Sequence, residues 1–353
     1  MMKSQTPMKY TIIVFVTMIM LLFSISGCQK SEPVNSGPSD AANTVYLASW
    51  RGELGKLDTQ TRSFEPLYNE LYVEIIIGKT DVNTILVLAH PGGSTNPPAG
   101  LPNLYQVNLD DLTSTHLAES VNHAYLSPDK KQLAYISFPD NHLQIMDIET
   151  QTSTSIVKSV GYFQKSNIWS PDGTRLLVSQ PNANWILDLT SRYRHTLSEE
   201  VTFLDWLDNS HLLVLWREKE ADLPRVASYE IQTGRVSPLF MDSTSPYFNA
   251  QCTGNNILAF KVYDTGSPVQ WDVFVSSKQD PAEQRKLFSI PPKPAQDLGY
   301  VPVFFYNCYP VSYSKVFYRV ITSENYEPMF TGIVDINSGI LLELDKEITS
   351  VIQ

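Results

Sequence analysis

The sequence predicts an all-β fold, a seven-bladed β-propeller of four-stranded antiparallel blades whose first blade is completed by the C-terminal strand. Three observations carry that expectation. A Ser-Pro-Asp turn stands at Ser127-Pro128-Asp129 and again 43 residues on at Ser170-Pro171-Asp172, and a period of roughly 40 to 45 residues is that of a four-stranded blade. An acid-led strand ending recurs as Asp147-Ile148-Glu149-Thr150 and Asp188-Leu189-Thr190-Ser191. Between these markers Tyr, Phe, Val and Ile fall in short alternating runs bounded by Gly, Pro, Asn and Asp, with no helical period.

The repeat unit has a physical logic. An apolar strand enters the turn, where Pro fixes φ, Asp bonds the backbone that follows, and Gly or its substitute takes a positive φ. A second apolar strand runs back, Leu133–Ser137 or Leu176–Ser179. The turn can be followed through Asp81, Asp129, Asp172, Asp208, Thr253 and Ser312, at intervals of 48, 43, 36, 45 and 59 residues. The strand ending gives a second ruler at Asp58, Asp110, Asp147, Asp188, Glu230 and Asp335, with a weaker copy expected near Val273–Ser277. That is seven units over 44–353. Thr44–Ala48 reads as a second strand with no first strand before it, while Glu347–Ile352 is an alternating strand left over at the end. Pairing the two closes the ring and removes exposed edges.

The Ser-Pro-Asp-Gly turn followed by Leu176-Leu177-Val178, with the later Asp-Leu-Thr-Ser or Asp-Ile-Glu-Thr, resembles the TolB-type family of bacterial propeller repeats. The resemblance implies the fold and an envelope role in binding partners. It brings no catalytic residue, because the turn is structural in that family.

The first residues carry an address. Lys3 and Lys9 precede an apolar run from Tyr10 to Phe23, and the stretch ends in Ile25-Ser26-Gly27-Cys28. Such a run is a secretory signal rather than a stable span, which needs about 20 apolar residues. The ending resembles the bacterial lipobox, so residues 1–27 are expected to be a signal peptide and Cys28 to be lipidated. Gln29–Asn43 is a polar Ser/Pro/Gly stretch that acts as a flexible tether, with a reach on the order of 20 Å. The expected organisation is therefore signal peptide (1–27), lipidated cysteine and tether (28–43), and propeller (44–353). The protein is placed outside the cytoplasm, anchored by lipid to the cell membrane or outer membrane.

The chain has 353 residues, 42% hydrophobic and 18% charged, which suits a large buried core. Loss of residues 1–27 removes two of 26 basic residues and no acid, so 24 against 37 leaves a net charge of −13. That balance excludes nucleic acid as the partner, since its binders carry basic stripes. It also leaves membrane attachment to the lipid alone.

Motifs for chemistry are missing. There is no G-x-S-x-G elbow, H-E-x-x-H, Walker loop, G-x-G-x-x-G or EF-hand loop, so no cofactor or metal is assigned. Asp172-Gly173-Thr174 has Arg175 where the Asp-box of sialidases has Trp. The six histidines, His90, His116, His123, His142, His195 and His211, show no paired ligand spacing. His123, Asn167 and Asp205 fall on first strands and are candidate polar residues of the central channel. The loops after second and fourth strands are long, over 90–103, 217–224, 263–270, 291–300 and 323–328, and they make one face the expected partner face, with His90, Tyr263 and Tyr326 as its candidate residues. Cys252 and Cys308 end neighbouring first strands and form either a disulfide or two separately buried thiols. The functional expectation is a monomeric, tethered binding or scaffold module for a protein, peptide or glycan. The alternative is a propeller hydrolase or lactonase with a metal in the channel.

Overall fold

The computed structural model describes residues 44–353 apart from 50, 60, 62, 69, 93–98, 159, 161–167, 181–182, 199–200, 219–222, 241–246, 264–269, 291–302, 311–314, 323–327, 339–340, 345–347 and 353. The expected signal peptide, Cys28, the tether, Asn167 and Tyr326 lie outside the described residues.

Among the described residues every regular element is a strand. It opens with β1 (Thr44–Ser49), β2 (Leu54–Asp58) and β3 (Phe64–Tyr68). A second sheet follows as β4 (Leu71–Lys79), β5 (Thr84–Pro91), β6 (Asn103–Asn108) and β7 (Ser114–Ala118). The third is β8 (Val121–Leu126), β9 (Gln132–Ser137), β10 (His142–Asp147) and β11 (Thr152–Val157). β12 (Arg175–Gln180), β13 (Ala183–Asp188) and β14 (Arg194–Thr196) come next. They lead into β15 (Val201–Trp206), β16 (His211–Trp216), β17 (Arg225–Glu230) and β18 (Val236–Pro238). Then come β19 (Tyr247–Thr253), β20 (Asn256–Tyr263), β21 (Gln270–Ser277) and β22 (Arg285–Ile290). The chain ends with β23 (Val303–Pro310), β24 (Lys315–Thr322), β25 (Pro328–Asp335), β26 (Leu341–Glu343) and β27 (Ile348–Ile352).

Each sheet is an antiparallel meander, and the terminal strand joins the first, in the order β27-β1-β2-β3. Leu47 faces Val351 and Tyr46 faces Ile352 across that ladder.

The blade count differs from the sequence expectation. Among the described residues six sheets are four-stranded blades, not seven, and the sheet β12-β13-β14 has three strands. Its opening strand is expected before Ser170, and residues 161–167 of that stretch lie outside the described residues. The described segment Ile168–Ser170 pairs with β12 through the bridge Trp169 to Leu176, the Leu177 N–H donating to the Ile168 carbonyl at 2.7 Å and the Ser170 N–H to the Arg175 carbonyl at 2.9 Å. The Trp169 side chain is buried, and its indole N–H donates to the Tyr125 carbonyl of the preceding blade at 2.8 Å.

Apolar faces of successive sheets close on one another around the ring. Ala134, Ile136 and Leu143 pack with Leu176, Val178 and Trp185. Ala48 and Leu54 pack with Val73, Ile85 and Val87, and Val45 and Leu47 with Ile333. Each such buried Val, Leu or Ile side chain contributes about 1.5 to 3 kcal/mol relative to exposure. Surface ion pairs, at about 0 to 1 kcal/mol, are minor beside this.

The repeated turns owe their shape to the residues that mark them. The Ser127 hydroxyl donates to Asp129 Oδ1 at 2.6 Å and accepts the Gln132 N–H at 2.9 Å. Ser170 repeats both bonds with Asp172 and Arg175, at 2.6 and 2.9 Å. The fourth turn residue, Lys130 in one copy and Gly173 in the other, has φ of 62° and 70°. The second ruler is also a turn device, in which the Thr61, Thr150, Ser191 and Ser338 N–H groups donate to Asp58, Asp147, Asp188 and Asp335 at 2.7 to 2.9 Å.

Candidate partner face

Antiparallel order places the first-to-second and third-to-fourth connections at one end of the ring, and the others at the opposite end. The first end is built from tight turns, such as 80–83, 127–131, 148–151, 207–210 and 254–255. The second end carries 92–102, 217–224, 264–269, 291–302 and 323–327. The long loops expected from the sequence therefore gather at one end.

At the long-loop end of the first two blades the described side chains are closely fitted. Gly52 has φ of 77°, and a Cβ placed there would lie 2.3 Å from the Tyr72 ring. The Gly52 carbonyl accepts the Val73 N–H at 2.9 Å, so the β1–β2 hairpin seats on β4. Tyr72 meets the His90 ring edge-on with centroids 6.2 Å apart. His90 Nε2 lies 2.8 Å from Glu74 Oε1. Burial, then the Glu74 charge, raises the Tyr72 pKa. Gly92 closes the strand end by donating its N–H to the Glu70 carbonyl at 3.1 Å.

His90, placed by the sequence on the partner loop, thus belongs to β5 and is 4% exposed, while its carboxylate partner stands at a bulge of β4 between Val73 and Ile75. Tyr263 ends β20, with its side chain outside the described residues. Among the described residues Phe138 and Leu223, which the sequence reading did not single out, are large apolar side chains exposed toward this end, at 53% and 44%.

The channel candidates part company. His123 lies on β8, where burial lowers its pKa and keeps the imidazole neutral at pH 7. Asp205 lies on β15 and is 2% exposed. Its Oδ1 accepts the Trp206 N–H at 2.7 Å, and its Oδ2 accepts the Cys252 N–H of the next blade at 2.8 Å. That carboxylate is a strut between blades. Trp206 adds a second, its indole N–H donating to the Ile168 carbonyl at 3.2 Å.

Cys252 is a free thiol whose pKa burial pushes far up, with the Asp205 charge adding to the rise. The Lys278 ammonium nearby donates to the Leu207 carbonyl at 3.1 Å. Cys308 lies on β23, with its side chain outside the described residues. Among the described residues no three His, Cys, Asp or Glu side chains converge as a metal site would require.

No family model matches the chain, and no curated protein matches it. Solved structures do. An oligogalacturonate lyase in complex with manganese is similar with a TM-score of 0.56 and 14% identity, over 84% of this chain and 82% of that one. An oligogalacturonate lyase from Vibrio parahaemolyticus is similar with a TM-score of 0.57 and 11% identity, over 83% of this chain and 87% of that one. TolB from Acinetobacter baumannii is similar at 15% identity with a TM-score of 0.47, over 87% and 81%. At such identities likeness speaks of fold alone. The sheet topology and the likeness to the two lyases make the chain a β-propeller protein, the fold that its resemblance to TolB-type repeats implies.

Proposed function

We propose that this protein is an extracytoplasmic propeller, tethered to the membrane through a lipidated Cys28, whose long-loop end binds a protein, peptide or glycan partner. The observation that carries the reading is the inequality of the two ends. One end is spent on tight turns whose polar side chains bond their own backbone, as Asp147 does with Thr150 at 2.8 Å. The other collects long connections on a scaffold closed by the β1–β27 ladder. Long loops held by rigid strands are where proteins place recognition.

Two further observations support it. The buried Asp205 is committed to backbone donors of two strands, and His90 to Glu74, so these groups serve the frame. The tether rests on the Ile25-Ser26-Gly27-Cys28 ending of the N-terminal apolar run, and no helix among the described residues is long and apolar enough to cross a membrane.

The test is capture of partners from chemically crosslinked membranes with the tethered protein as bait. The expected result is a discrete adduct that is lost when Cys28→Ala releases the bait from the membrane. Metal-dependent turnover of a polysaccharide, peptide or lactone by the purified protein, without any adduct, would replace this reading with the hydrolase or lactonase alternative.

A further inference from the structure

A sheet's outer strand leaves a row of backbone N–H and C=O groups beyond the ladder, and natural sheets guard such edges with short strands, proline, charge or bulges. Most outer strands here are guarded. β14, β18 and β26 are three residues long. β3 carries Glu65 and Pro66, and β22 opens on Arg285 and Lys286. β7 is interrupted by a bulge opposite Leu104 and Tyr105. β11 differs. Its bulge, opposite Leu143 and Gln144, lies near its far end, and the four residues before it, Thr152–Ser155, are uncharged, free of proline and exposed and keep unbroken register with Gln144–Asp147, one pair more than β7 keeps.

Beside this edge lies a groove of about 200 Å³, walled by Asp147, Thr152, Thr154 and Ile156 on one side and by Leu189 and Arg192 of the β13–β14 hairpin on the other. Small-molecule pockets run to roughly 300 to 1,000 Å³, so this groove suits a side chain or two of a larger partner. Thr152 and Thr154 are two apart and share a face, so a strand added to the edge would set its own alternate side chains over the groove.

The two charged walls are unequal. Asp147 Oδ1 is occupied by the Thr150 N–H and hydroxyl, at 2.8 and 3.0 Å. Arg192 is exposed and held at φ of 61°, its N–H donated to the Asp188 carbonyl at 2.9 Å. Among the described residues its guanidinium has no ion-pair partner.

We infer that the outer edge of β11 is a second docking site, distinct from the long-loop end, that takes an extended peptide as an added strand and sets an acidic side chain of that peptide against Arg192. Strand addition draws affinity from main-chain hydrogen bonds and selectivity from the side-chain groove. The charge-assisted contact with the guanidinium favours a carboxylate over an ammonium.

The experiment uses the full mature protein and two labelled, end-blocked hexapeptides, one alternating Thr with Glu and Val and the other with Lys in place of Glu. Fluorescence anisotropy should show saturable binding of the Glu peptide, tighter than the Lys peptide by about tenfold or more. Arg192→Glu should invert that order. Amide exchange on the unsubstituted protein should slow at Thr152–Ser155 when the Glu peptide is added. Absence of saturable binding, equal affinity for both peptides, an order unchanged by Arg192→Glu, or binding without protection at Thr152–Ser155 would each overturn the inference. A membrane partner still captured by the Arg192→Glu protein would leave the long-loop reading standing by itself.

Discussion

Tyr46 faces Ile352 across an antiparallel ladder, so the two ends of the propeller chain, more than 300 residues apart, belong to one blade. Leu47 and Val45 beside it are buried against Ile333 of the preceding blade. The ring is therefore latched by its last strand, and chain termini fray unless held in this way. Deleting residues 347–353 should broaden thermal unfolding and lower its midpoint by roughly 10 °C, the scale of several kcal/mol in a domain of this size. A melting curve unchanged by the deletion would show that the latch is ornamental.

Gly52 offers a sharper test of local fit. Its φ of 77° lies in the left-handed region, and a Cβ would sit 2.3 Å from the Tyr72 ring. Tyr72 has little room to retreat, being packed against His90. Gly52→Ala should cost about 2 to 3 kcal/mol in denaturant unfolding, from strain and overpacking together. A loss below about half a kcal/mol would mean the hairpin shifts freely.

The Ser-Pro-Asp turn makes a prediction about pH. The Ser127 hydroxyl, followed by the Lys131 N–H and charge, holds the Asp129 carboxyl below the usual carboxylate range. A carboxyl depressed in the folded state stabilises above its unfolded pKa of about 3.9, and that contribution fades as pH falls through the folded value. Ser127→Ala should therefore destabilise most at neutral pH, by about 1 kcal/mol, and the gap from the parent should narrow below about pH 4. A gap constant with pH would place the whole effect in the lost bond from the Gln132 N–H.

Cys252 gives a chemical readout of burial. The free thiol, its pKa pushed far up, is a poor nucleophile while the blade is intact. Alkylating reagent should leave it unmodified in the native mature protein and label it once the chain is unfolded without reductant. Labelling in the native state would contradict its buried environment, and resistance after unfolding would establish a bridge.

The sequence was most legible where one residue type performs one local task. Ser127, Asp129, Ser170 and Asp172 announce their turns because the bonds they make span only a few residues. The closing strand was legible from its alternation and from the missing strand at the start. Less legible was anything decided across blades. Asp205 reads as a channel residue, yet the donor that claims it is the Cys252 N–H, 47 positions on. Trp169 reads as part of a strand and does bridge Leu176, but that its indole also reaches the Tyr125 carbonyl, 44 positions back, has no local signature. His90 reads as the start of a loop because Pro91 and Gly92 follow it, whereas Glu74 on the neighbouring strand draws it into β5. Arg192 and β11 could be found only once the hairpin and the edge were seen side by side.

The proposed membrane address rests on Cys28. Cys28→Ala should release the protein from the membrane fraction or leave an unprocessed precursor. A substituted protein that is still processed and still sediments with membranes would sink the lipid tether.

The most direct test of the binding reading compares the two ends of the propeller in one experiment. Leu223 is 44% exposed in the 217–224 connection, and Val82 is 79% exposed in the tight turn at the opposite end. A photo-crosslinking amino acid is placed at each position in turn, in the tethered protein, and irradiated in intact cells. A discrete adduct is expected from position 223 and none from position 82. No adduct from position 223, or the same adducts from both, would contradict it.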